Sequence, residues 1–156
     1  MVLPVQDAIG VEGALDGELA FALEARDGDV IWISAARLRD ALARSPNLRV
    51  PLDVLPVEQF LQVEVRRIGD PLYGILRRAA ALTDAQVALI PVQVYARPDV
   101  EDRPGAVEVR VALIEVLTGR VLWYGVEQGR PGAGSDPAAV ASAMEAMARR
   151  LVPGSE

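Results

Sequence analysis

The densest group of residues able to do chemistry is RRIGDPLYGILRR at 66–78, which sets Asp70, Tyr73, Arg77 and Arg78 at the start and along the length of one helix. As a recognition patch they would meet a polar or anionic partner at a helix N-terminus, where backbone N–H groups and the helix dipole favour negative charge. Asp70 already occupies that end as a cap, so the plainer reading is a capped helix with a solvated arginine face. A second group is DVEDRPG at 99–105. Asp99, Glu101 and Asp102 are oxygen donors of the type that hold Ca²⁺, but they lack the alternating acids, central glycine and closing glutamate of a calcium loop. A solvated turn accounts for them. Glu18 and Glu24 lie six apart on one helix and do not converge as a glycosidase pair would. Glu64 and Asp70 would meet only through tertiary contact. Gly10, Gly13 and Gly17 are too loosely spaced for a dinucleotide-binding turn. No catalytic dyad, metal site or cofactor site is expected.

Composition narrows the chemistry further. The chain has 156 residues with no His, no Cys and no Lys, and all 16 of its cationic side chains are Arg. A zinc site of the usual ligands, a Ser-His-Asp triad and a Cys nucleophile are therefore excluded. So are a Walker-type phosphate loop and a Schiff base. Carboxylates, hydroxyls and oxygen-ligand cations remain. The net charge of −6 disfavours nucleic acid as a partner. No apolar run is long enough to span a bilayer. Met1 leads directly into VLPVQ, without the charged and apolar regions of a signal peptide. A strand starting there is what a trimmed chain or a misplaced start would give.

The elements that must position these residues follow from periodicity. VLPVQ (2–6) reads as a short strand at a sheet edge, because of Pro4. ALDGELAFALEAR is a helix with Leu15, Leu19, Ala22 and Leu23 inward and Phe21 on the far side. After an ARDGD turn, VIWIS (30–34) is a strand with Trp32 in the core. Ser34 caps the next helix, which carries Leu38, Ala41 and Leu42 inward and stops before Pro46. Residues 57–68 fit a helix through Val57, Phe60, Leu61, Val65 and Ile68, and also alternate as a strand at Leu61, Val63 and Val65. Pro56 as initiator favours the helix. Asp70 caps a helix with Pro71 at its first position and Leu72, Ile75, Leu76 and Ala79 inward. The VALIPV run predicts a strand covered on both faces, with a bulge or a lost ladder bond at Pro91. AVEVRVALIEV and VLWYGVEQG form a hairpin turned at Gly119. Asp136 and Pro137 open a final helix with Val140, Met144, Met147 and Leu151 inward. The expected fold is a single α/β domain over 1–152, with a central mixed sheet of about five strands, a C-terminal antiparallel hairpin and flanking helices. Residues 153–156 are expected to be a disordered tail.

The hairpin pattern TG-x-V-L-W occurs once, so a propeller is excluded by repeat count. Instead, five stretches, at 2–6, 18–26, 85–97 and 107–125 together with the last helix, resemble bacterial envelope lipoproteins. Their domain is similar to the amino-terminal domain of TolB, with LpoB-like and CsgG-like relatives. The resemblance lies in VALIPVQV followed by EVRVALIEVLTGRVLWYG. It implies a non-catalytic, periplasmic, outer-membrane-associated module that binds another envelope protein and is held by a lipid anchor this chain does not carry. The accessible candidates for that contact are Phe21, Tyr73, Arg77, Tyr95 and Tyr124. Trp123 and Tyr124 are neighbours on one strand and face opposite sides, so one is expected in the core and the other accessible. Two alternatives stay open: a subunit of a homo-oligomeric envelope assembly, and an enzyme using carboxylates and Mg²⁺.

Overall fold

A computed structural model describes residues 1–26, 28–62 and 64–153. In chain order the elements are β1 (Ala8–Ile9), α1 (Leu15–Glu24), α2 (Ala35–Ala43), α3 (Gln59–Gln62), α4 (Leu72–Ala81), β2 (Val87–Arg97), β3 (Ala106–Glu115), β4 (Val121–Pro131) and α5 (Pro137–Leu151). Among the described residues the sheet has four strands in the order β1-β2-β3-β4. The fold class is α/β, as expected, with one strand fewer than the five expected. β1 runs parallel to β2, whereas the short turn between β3 and β4 makes that pair antiparallel.

Two compact units interleave along the chain. The first comprises Met1–Gln6, Ile33–Val92 and Val111–Tyr124; the second comprises Asp7–Trp32, Gln93–Arg110 and Gly125–Glu156. β2, β3 and β4 each supply residues to both.

In the first unit, Leu38 of α2 and Leu72, Ile75, Leu76 and Ala79 of α4 form one core with Ala88, Ile90 and Val92 of β2 and Ala112 and Ile114 of β3. Each fully buried Leu or Ile there contributes roughly 1.5–3 kcal/mol. Ser34 caps α2 by accepting from the Arg37 N–H at 3.4 Å. Pro71 takes the cap position of α4, one residue later than expected, and Asp70 Oδ1 accepts from the Gly74 N–H at 3.1 Å. Asp70 thus still supplies an acceptor to the first turn. In the second unit α1 packs on α5. Leu15, Leu19, Ala22 and Leu23 are buried on α1, and Val140, Met144 and Met147 on α5. Asp136 Oδ1 caps α5 at Ala138 N, 2.9 Å away.

Three expected elements differ. The strand at 2–6 reduces to a bridge at Val2↔Leu89, and the named strand starts later, at Ala8. The backbone shows why. Leu3 N–H donates to Leu89 O, whereas Gln6 N–H donates to Pro91 O. Donors three apart meet acceptors two apart, so the N-terminal segment carries an extra residue beside Pro4. The irregularity expected at Pro91 is therefore borne by its neighbour, and β2 itself stays continuous and buried from Ala88 to Val94. The strand at 30–34 does not form. The Ile33 carbonyl accepts from Val2 N, but Ile31 is 87% exposed and Trp32 is half-buried, so the apolar run finds no ladder to join. The helix expected over 57–68 is confined to α3. Beyond it the chain is extended, because Arg66 O accepts from Val121 N and Ile68 N donates to Gly119 O, both at 2.9 Å. Asp27 in the 25–29 turn, Val63 and, of the tail, residues 154–156 lie outside the described residues.

Candidate functional site

The β3–β4 turn organises the first unit's polar groups. Gly119 adopts φ +70°, the left-handed conformation expected of it, and its N–H donates to Glu115 O at 2.9 Å. A side chain there would also meet Tyr73 Cδ2 at 3.0 Å. The Tyr73 hydroxyl donates to Leu117 O at 2.7 Å, and Arg77 Nη1 donates to that hydroxyl at 3.1 Å. At 5.8 Å from the ring centroid, the Arg77 guanidinium is at the outer limit of cation–π range, so the hydrogen bond is the stronger link. Tyr73 and Arg77 are thus brought together and engaged in tying α4 to the turn. A cavity of about 470 Å³ opens beside them, lined by Arg77, Ala80, Asp84, Gln86, Glu115 and Leu117.

Tyr124 lies elsewhere in the same unit. β4 alternates from Val121 to Arg130, with Leu122 (41%) and Tyr124 (38%) exposed and Val121 and Trp123 half-buried. Tyr124 is the more exposed ring of the Trp123–Tyr124 pair, but Trp123 is only half-buried and neither ring lies in the core, contrary to the expectation for one of them. Its ring stacks on Phe60 of α3, with centroids 6.0 Å apart and planes inclined by 18°. Phe60 is buried, whereas Leu61, the next residue on α3, is exposed. Arg120 precedes Leu122 by two residues, so Arg120, Leu122 and Tyr124 share one side of the strand. Arg67 pairs with Arg120 in an isolated antiparallel bridge. No described acid lies within 4 Å of Arg67, and Arg120 Nε is 4.0 Å from Glu115 Oε2, a pair open to solvent. The sequence marks Phe60 only as a helix-face residue and assigns Leu122, Arg67 and Arg120 no site role. The period-two pattern of RVLWY points to Arg120 and Leu122, but Phe60 and Arg67 reach this place only through tertiary contact.

Phe21 and Tyr95 belong to the second unit. Phe21 is 72% exposed on α1, and Tyr95 is half-buried on β2. The polar cluster of this unit is centred on Arg97 and Glu108, whose side chains are 13% and 15% exposed and 3.2 Å apart. Arg97 also donates to Pro104 O at 2.9 Å. Arg103 Nη2 lies 3.4 Å from Gln128 Oε1. Asp99 Oδ1 accepts from Gly105 N at 2.6 Å, which closes the 98–105 loop on itself. Among the described residues no three acidic side chains gather as a metal site would require. Gln93, nearly buried, donates to Asp7 Oδ2 at 2.8 Å.

Formal charge divides unevenly between the units. The first carries nine Arg against seven acids, net +2, and the second seven Arg against fifteen acids, net −8. The interleaved segments hide this asymmetry in the linear sequence.

Fold and surface together define an α/β protein with an exposed aromatic and aliphatic strand face. Comparison of the chain with protein-family models, curated proteins and solved structures finds no match.

Proposed function

We propose that this chain is a non-catalytic protein-interaction module of a cell-envelope lipoprotein, acting in the periplasm at the outer membrane and contacting its partner through the Leu122–Tyr124 side of β4. The observation that carries the interaction is this exposed pair, backed by the buried Phe60 ring. A rigid aromatic held by a stacked neighbour loses little side-chain freedom on binding, and tyrosine and arginine on one face are the residue types enriched at interface hot spots. The envelope assignment rests on the resemblance of VALIPVQV and the following hairpin to the TolB-amino-terminal-like lipoproteins.

The test places a photo-crosslinking residue at 124, with position 21 as the comparison, in cells expressing the full gene. The reading expects a discrete crosslinked species of envelope origin from position 124. It fails if position 124 yields no species beyond those from position 21. Fractionation of the same cells into cytoplasm and envelope tests the compartment, and a cytoplasmic protein would sink the lipoprotein assignment.

A further inference from the structure

Resting on that reading, we infer that the β4 face takes an acidic, extended segment of its partner, with Arg67 and Arg120 as the carboxylate-binding pair and Leu122 with Tyr124 as the apolar seat. The first observation is the bridge between Arg67 and Arg120. Directly opposed residues of an antiparallel pair have Cβ atoms about 5 Å apart, and like charges there repel. Arg67 has no described acid within 4 Å. The acid nearest Arg120 is Glu115, whose carboxylate already accepts a hydrogen bond from the Thr118 hydroxyl. Two guanidinium groups therefore border the patch with their charge weakly neutralised, and a carboxylate between Arg67 and Arg120 would relieve the repulsion and be met by paired donors.

The second observation is spacing. Arg120, Leu122 and Tyr124 lie on one side of the strand, so arginine and tyrosine are four residues apart. At about 3.3 Å per residue that is about 13 Å. An extended ligand would match it with one or two acids about four residues from an aromatic or branched aliphatic side chain. The net charge of +2 on this unit, within a chain of −6, favours the same class of partner.

The experiment is selection from a random twelve-residue displayed peptide library on the immobilised full chain, followed by anisotropy titration of selected peptides. Enriched peptides should carry Asp or Glu about four positions from an apolar residue. Their affinity should fall at least about tenfold in R67E/R120E and on raising salt to about 0.5 M. R67Q/R120Q, which removes charge without reversing it, should give an intermediate loss with the thermal melt unchanged. Enriched peptides without acids, or with affinities insensitive to both variants, would overturn the proposal. So would failure to enrich any peptide above a Y124S chain, or a salt-sensitive self-association through this face, which would make a second copy the occupant. If crosslinking from position 124 persists in R67E/R120E, the interaction module stands and the acidic class falls. If position 124 crosslinks nothing, both fall.

Discussion

Replacing Gly129 with alanine tests how closely β4 and α5 are packed in the second unit. A Cβ at 129 would fall 2.5 Å from Ser142 Oγ, 2.7 Å from Ala143 N and 2.9 Å from Ala139 O, against an ordinary contact of 3.4 Å or more. Two of those three atoms are helix backbone, so no side-chain rotation relieves the clash, and α5 must move off the strand by about half an ångström or more. That movement strains the Arg130 N–H hydrogen bond to Ser142 Oγ, 2.8 Å long, and the Ser142 hydroxyl's own bond to Ala139 O. Overpacking of this sort costs about 1–3 kcal/mol, and a weakened buried hydrogen bond adds about 1 kcal/mol. The lower backbone entropy of alanine in the unfolded chain offsets about 0.4–1 kcal/mol. The expected net loss is about 2 kcal/mol. Urea denaturation of the full chain reads it as a midpoint lowered by about 1 M, for a slope near 2 kcal/mol/M. G69A is the matched control, because a Cβ there meets nothing within 4 Å, and its stability should stay within about 0.5 kcal/mol of the parent. Adding S142G to G129A should recover little, since the two backbone contacts persist. A G129A midpoint equal to that of the parent would refute this account of the packing.

Y73F should lower stability by about 0.5–1.5 kcal/mol by removing the hydroxyl bond to Leu117 O. R77A should cost less in the Y73F background than alone, since Arg77 Nη1 there keeps only its 3.5 Å contact to Leu117 O, and a fully additive loss by thermal melt would show that Arg77 acts independently of the hydroxyl. E108Q should cost about 1.5–3 kcal/mol, because Arg97 keeps its charge at a site where its Nη1 is already buried without a partner. A thermal midpoint unchanged from the parent would remove that ion pair from the stabilising set. The terminal amine of Met1 donates to Val87 O at 2.8 Å, and burial lowers its pKa from 8.0 to about 6. The unfolded amine therefore holds its proton up to about pH 8, and the folded one only up to about pH 6. Stability should rise from pH 6 to pH 8 by up to about 2.7 kcal/mol, level off above that window, and be lowest below it. Equal urea midpoints at pH 6 and pH 8 would contradict this.

Much of the fold is legible in the sequence because it depends on local periodicity. The inward faces of α1 and α4, the Ser34 and Asp136 caps, and the turn at Gly119 are each set by residues within a few positions of one another. Elements that need a distant partner are less legible. VIWIS has strand composition, but a strand exists only where a neighbour offers free backbone groups, and Ile33 finds one hydrogen bond from Val2. Residues 64–68 have helical spacing, yet the open edge of β4 beside Gly119 and Val121 draws them out straight. Candidate-site residues divide the same way. Tyr124 and Leu122 can be found from the alternation of one strand. Tyr73 and Arg77 are visible as a pair on one helix, but their engagement with Leu117 depends on a contact forty residues away.

By itself the sequence determined the available chemistry and the class of fold. Absent side chains exclude mechanisms whatever the fold, and repeating apolar spacing dictates helices and strands before any long-range contact forms. The tertiary structure alone decided which arginines face each other, which ring of Trp123 and Tyr124 is the more exposed, and how charge divides between the two units. Those properties depend on segments far apart in the chain lying side by side, and sequence order does not carry that information.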